Sequence, residues 1–225
     1  MKLFLLILGV FFFSELQAQI YSKKKKIEYE VFYITNNDTI KKNSVFLNCL
    51  GRRWVSPKDK SIIKDFWAIT WGYNKQGRMY EDGTGVKETS KEIFLHPIRS
   101  SEYKILEFCP FPIIKFPLKE GCSWVWTLRN IPSTYFESLK NTPSGYVADI
   151  EIVNSYRIKK KGSYFSQNKL CLVNYFEVVA VGVSPLGKTG LSFCFSESDG
   201  FLNMKFKTLN NDIIIFVKKD NYYIH

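Results

Sequence analysis

Gly182-Val183-Ser184-Pro185-Leu186-Gly187-Lys188-Thr189 matches the pattern G-x-x-x-x-G-K-[ST], the spacing with which a glycine-rich loop cradles phosphates. That chemistry needs a helix opening at the Lys-Thr pair, because helix N-terminal amides hold the phosphate. Here Thr189 is followed by Gly190-Leu191-Ser192-Phe193-Cys194-Phe195, which alternates apolar with small polar residues as a half-buried strand does. Gly182, Gly187, Lys188 and Thr189 are therefore read as a false match, a glycine–proline hairpin loop, and no cofactor is predicted.

The other reactive groups are sparse. Only His96 and His225 are histidines. No G-x-S-x-G elbow accompanies them, so a serine triad has no frame. His96 precedes Pro97 at the end of an apolar run and is read as a surface or internally satisfied side chain. The acid pairs Glu81-Asp82 and Glu197/Asp199 lie beside turn residues, where solvated carboxylates are the default. No Cys-x-x-Cys, histidine cluster or Asp-rich loop is present, so no metal site is predicted. The sequence thus predicts a protein that is not an enzyme, with a hydrolase kept only as the third reading. The net charge of +11 raises the question of nucleic acid, but the lysines are scattered or gathered at turns, and no nucleic-acid partner is predicted.

The aromatic residues are the more specific signal. They make up 16% of the chain. Trp67 and Trp71, Trp124 and Trp126, and Phe193 and Phe195 are each spaced to share one face of a strand. Two readings stay open for these six residues. They form the core between sheet faces, or they line an apolar cavity in a curved sheet and hold a lipid or acyl chain.

The elements that must position them read as strands. Ile27–Thr35, Ser44–Leu50, Arg52–Val55 and Ile62–Trp71 are rich in β-branched and aromatic residues, with Asn36-Asn37-Asp38 as a turn. Lys75-Gln76-Gly77 and Glu81–Gly85 read as turns, and Glu92–Leu95 and Tyr103–Phe108 as further strands. The proline-punctuated stretch from Cys109 to Leu118 should be an extended connection or a sheet edge. Pro132–Lys140 reads as one short helix. Tyr146–Ile158 is a long strand that ends in a Lys159–Gly162 turn; Leu170–Val181, Leu191–Ser196, Phe201–Lys207 and Ile213–Val217 follow. The predicted fold is all-β: one curved antiparallel sheet, half-barrel or barrel, of about nine or ten strands. It forms a single domain over residues 19–225, with little helix outside the leader.

That leader is residues 1–18. Lys2 is followed by an apolar run from Leu3 to Phe13 and a polar exit ending at Ala18, the form of a secretory signal peptide. The predicted location is periplasmic or secreted, with cleavage near Ala18 and no transmembrane span afterwards. The lysines at 23–26 follow the cut. Cys49, Cys109, Cys122, Cys171 and Cys194 then enter an oxidising compartment. One or two disulfides are allowed, Cys109–Cys122 and Cys171–Cys194 being nearest in sequence, or the thiols stay free and buried. Five is odd, so at least one is unpaired within the chain.

Pro117-Leu118, Gly121 and Trp124 resemble the P-L-x-x-G-x-x-W opening of secreted, periplasmic half-barrel proteins of unknown function. Val181–Gly187 and Asp199-Gly200-Phe201 resemble their closing hairpins. The resemblance covers the chain from Cys109 onward and is similar in kind to the outer-membrane lipoprotein carrier (LolA/LolB-like) fold. It implies a curved antiparallel sheet with an apolar ligand surface; no site residue carries over, and a lipoprotein cysteine is missing. The functional expectation is an exported soluble binding protein for an apolar or amphipathic ligand. The alternative is a non-catalytic structural or interaction protein of the cell envelope, with an envelope protein as partner.

Overall fold

The computed structural model describes residues 19–35, 38–41, 44–75, 77–131, 133–139, 150–166 and 169–219. Residues 1–18, where the sequence predicts a leader, lie outside them. Thirteen strands follow in order: β1 (Lys25–Thr35), β2 (Asp38–Lys41), β3 (Val45–Val55), β4 (Ile62–Lys75), β5 (Arg78–Glu88), β6 (Glu92–Leu95), β7 (Ile113–Lys115), β8 (Ser123–Leu128), β9 (Ile152–Ser166), β10 (Cys171–Ser184), β11 (Gly187–Ser196), β12 (Gly200–Lys207) and β13 (Ile213–Lys218). Two 3-10 helices, η1 (Ser101–Phe108) and η2 (Ser133–Ser138), interrupt them.

All strands join one antiparallel sheet in the order β7-β6-β5-β4-β3-β1-β13-β12-β11-β10-β9-β8, with β2 beside β1. Strand β1 is the bridge between two arms. Its first half pairs with β3, from Lys25↔Cys49 to Tyr29↔Val45. Its other edge pairs with β13, from Tyr29↔Lys218 to Ile34↔Ile213. The terminal strands β7 and β8 are consecutive in the chain, so a short connector brings the two sheet edges together. Side chains close this seam. Trp126 of β8 lies 5.4 Å from Phe94 of β6 and 5.1 Å from Phe111 just before β7, and the Tyr156 hydroxyl donates to the Phe111 carbonyl at 3.0 Å. The all-β, antiparallel, curved-sheet expectation holds, with thirteen strands instead of about nine or ten, and the sheet forms a nearly closed barrel.

Three local readings are corrected. Tyr103–Phe108 is not a strand but the 3-10 helix η1, with Tyr103, Ile105, Leu106, Glu107 and Phe108 all buried. A segment this short carries no period that separates strand from helix, and this one packs into the core instead of joining the wall. Lys159–Gly162 is not a turn. Strand β9 runs through it, and the extra residue is absorbed as a bulge opposite Glu177/Val178. Gly162 serves there as floor space, since a Cβ on it would lie 2.5 Å from the Tyr175 ring. Glu81–Gly85 likewise stays inside β5, with Trp54 and Phe66 packed where the Gly85 side chain would be.

Candidate functional site

The six ring residues all face inward, as their alternation predicts. Trp71, Phe193 and Phe195 are fully buried; Trp67, Trp124 and Trp126 are partly buried and packed on the same core. They do not form one patch. Trp71 sits against Tyr29 and Phe216 at 6.0 and 6.3 Å, and its indole N–H donates to the His96 carbonyl. Trp67 lies under the Arg53 guanidinium at 3.9 Å. Trp124 stacks on Tyr156 with ring planes 7° apart. Phe193 and Phe195 both meet Phe201, at 5.3 and 5.2 Å. Each ring thus has its own protein partner.

Helix η1 and the stretch that follows it, Cys109 to Pro112, pack into the same core, and every residue from Leu106 to Ile114 is buried. A void of about 10 Å³ remains beside Trp71, Leu106 and Phe216. That is room for about one water, far below the ~300–1,000 Å³ of a ligand pocket. Among the described residues, the six rings pack against other side chains of the core.

The phosphate-loop match is a hairpin. Ser184 and Gly187 pair directly across Pro185-Leu186, and Gly187 has a φ of 130°, open to glycine alone. The Thr189 hydroxyl is buried and donates to the Phe108 carbonyl at 3.0 Å, which ties the hairpin to the end of η1.

His96 packs on Phe111 at 4.6 Å and on Phe94, with Nδ1 3.0 Å from the Pro97 carbonyl. Burial lowers its pKa to about 3, and Arg99 nearby adds to the effect, so it is a neutral packing residue that donates from Nδ1. The acid pairs separate. Glu197 is exposed, while Asp199 accepts from Tyr164, Lys169 and Ser198.

Two carboxyls that sequence reasoning did not single out carry the unusual electrostatics. Glu107 on η1 is 4% exposed, and its Oε2 has no partner. Burial raises its pKa to about 7, Arg99 opposing and Asp82 reinforcing. Glu88, at the end of β5, accepts three consecutive backbone amides: Ile20 at 2.5 Å on one oxygen, Tyr21 and Ser22 at 2.9 Å on the other. No sequence pattern announces it, because the partners are 66 to 68 residues away.

All five thiols are unpaired. Cys49, Cys109 and Cys194 are buried, and Cys122 and Cys171 are exposed. Burial raises Cys49 and Cys194 to about 11 and Cys109 further. Cys122 lies beside Ile158 and Cys171 beside Ser166, roughly 25 Å apart along β9 at strand rise, too far for a bridge. A thiol reagent applied to the native protein is expected to modify Cys122 and Cys171 at once and the other three only after unfolding. Peptide mapping after brief labelling checks this, and early labelling of Cys109 would contradict the packing.

No family model matches the chain, and no curated protein matches it. Two solved structures are similar over most of its length: the hypothetical lipoprotein YmcC from Escherichia coli, at 10% identity and a TM-score of 0.36 over 95% of this chain and 96% of that one, and a lipoprotein described as putative from Parabacteroides distasonis, at 10% identity and a TM-score of 0.37 over 89% and 96%. Neither is described as a lipoprotein carrier. At that identity and TM-score, neither speaks to what this chain does.

Proposed function

We propose that the protein is an exported, non-catalytic interaction module of the cell envelope that works through the outside of its barrel. One observation carries this reading. Among the described residues, η1 and the stretch that follows it are buried in the core, while Phe165, Leu170 and Leu172 are exposed together on the β9–β10 hairpin. Exposed apolar groups of this size mark interaction surfaces when they gather. Export rests on the leader pattern, and the predicted location remains the periplasm or the medium.

A second reading is the binding of a lipid or acyl chain against the inner rings, with η1 displaced. It is favoured by buried polar atoms that lack partners, Trp124 Nε1 and Glu107 Oε2, which a ligand headgroup could satisfy. Native mass spectrometry of protein purified without detergent decides between the two. The outward-acting reading expects the bare chain mass. A stoichiometric bound lipid, lost on Trp124→Ala, would overturn it in favour of the second.

A further inference from the structure

We infer that the barrel end built around Asp199 and Gly200 is a docking surface for an anionic phospholipid bilayer. This deepens the outward-acting reading and rests on it.

Several remote pieces of chain meet at this end. Gly200, at a φ of 77°, lacks the Cβ that would lie 2.5 Å from the Tyr21 hydroxyl and 3.1 Å from Ile20, so the N-terminal segment seats against the β11–β12 turn. The far end of the β9–β10 hairpin is pinned to the same turn. Lys169 Nζ donates to Ser198 and Asp199, both at 2.8 Å, and the Tyr164 hydroxyl donates to Asp199 at 2.9 Å. An open cleft of about 520 Å³ between Ser90-Lys91, Phe116–Leu118 and Glu197 completes it.

The apolar groups at this end stand in water. Leu170 is 78% exposed, Leu172 71% and Phe165 52%. Phe165 and Leu172 are direct cross-strand partners and so share one face. Leu170 holds a φ of 52°, a left-handed conformation that costs a leucine free energy. At this end Lys23, Lys24 and Lys91 are exposed, and exposed Lys161 lies on β9 four residues before Phe165.

One argument chooses a bilayer over a protein partner. A few protruding apolar tips with lysines at the same end suit an interface where chains dip beneath anionic headgroups; each signal alone is weak and the two together suffice.

The test is co-flotation of the purified chain with vesicles of phosphatidylcholine alone, or of phosphatidylcholine and phosphatidylglycerol in equal parts. Binding is expected with the anionic vesicles, at least about tenfold above the neutral ones, and it should weaken as salt rises. Lys23→Gln with Lys24→Gln should lower partitioning by roughly thirtyfold, at about 1 kcal/mol for each lysine neutralised. The Phe165→Ser, Leu170→Ser, Leu172→Ser variant should lose most of it while keeping the wild-type melting curve, since these side chains are outside the core. The Val125→Ser, Val181→Ser, Val183→Ser variant removes exposed valines near the other end of β10, roughly 30 Å or more from Leu172, and should bind as wild type does. Equal binding to both vesicle types, or hairpin-variant binding equal to wild type, overturns the inference. Absence of vesicle binding with a bare native mass would sink only this inference, whereas a lipid retained in the interior would sink the outward-acting reading itself.

Discussion

Replacing Glu88 by alanine is expected to destabilise the fold by about 3 kcal/mol or more. Three backbone amides converge on this carboxylate at 2.5–2.9 Å, and a hydrogen bond to a charged group contributes ~1.5–3 kcal/mol when the site is shielded. Glu88 is half-buried, so water replaces part of the loss, and the effect falls below the ~4.5–9 kcal/mol that three such bonds would sum to. The amides themselves have no such relief. Ile20, Tyr21 and Ser22 are buried, and unpaired buried amides are costly. The segment must keep three orphaned donors or leave together with Tyr21, which is fully buried, accepts from the Phe201 amide at 3.2 Å and has its own ionisation suppressed by burial. Glu88→Gln should fall between, because its amide nitrogen turns a donor toward one of the donors it replaces an acceptor for. Chemical denaturation gives the stability change. Hydrogen exchange at Ile20–Ser22 tells the two routes apart, with fast exchange in an otherwise protected protein expected for the alanine variant. Unchanged stability and protection would mean that the carboxylate does not hold the segment.

The physical range of each interaction set how much could be read from sequence. Alternation is local, so Leu191–Ser196, Phe201–Lys207 and Ile213–Val217 were legible as strands and appear as β11, β12 and β13. The inward direction of Trp124 and Trp126 was legible by the same rule. The proline-rich stretch was legible as an edge because proline cannot complete a ladder, and β7 is the sheet's last strand on that side. The contents of the barrel were not legible. They depend on η1 lying inside it, which is a relation between the 101–108 segment and the whole wall. Tyr103–Phe108 is apolar enough for either role. The lysine run 159–161 looked like a turn because charge and glycine usually mark one; here a bulge takes up the extra residue and Tyr175 fills the space above Gly162. Glu88 and Glu107 read as ordinary charged residues, since what distinguishes them is supplied by partners and burial far along the chain.

Glu107 and His96 should give the protein a pH–stability curve in which two opposing slopes hide each other. Glu107 titrates at about 7 in the fold against an ordinary 4.5. Its folded form holds the proton more tightly than the unfolded chain does, so its contribution is complete below 4.5, declines as pH rises, and is gone above about 7. The total is about 3 kcal/mol at ~1.4 kcal/mol for each pH unit. His96 has the opposite sign. At about 3 in the fold against an ordinary 6.5, it contributes fully above 6.5 and loses that contribution as pH falls, since the unfolded chain takes up a proton the packed ring refuses. Between 4.5 and 6.5 the two slopes cancel in large part, and the wild-type curve should be nearly flat. Glu107→Gln removes one of them. The variant should match wild type near pH 4 and exceed it by up to about 3 kcal/mol near pH 8, the amide sitting among Arg99, Asp82 and Tyr135 without a desolvated charge. Its stability should climb between 4.5 and 6.5, the range where wild type is level. His96→Phe keeps the ring contacts to Phe94 and Phe111 and should show the reverse, a decline across the same range. Denaturant melts of the three proteins at matched pH values read out both slopes. A Glu107→Gln variant that gains nothing in alkali would mean that the η1 carboxyl has found a partner or water inside the barrel, and that the plug sits in a wetter interior than its packing implies.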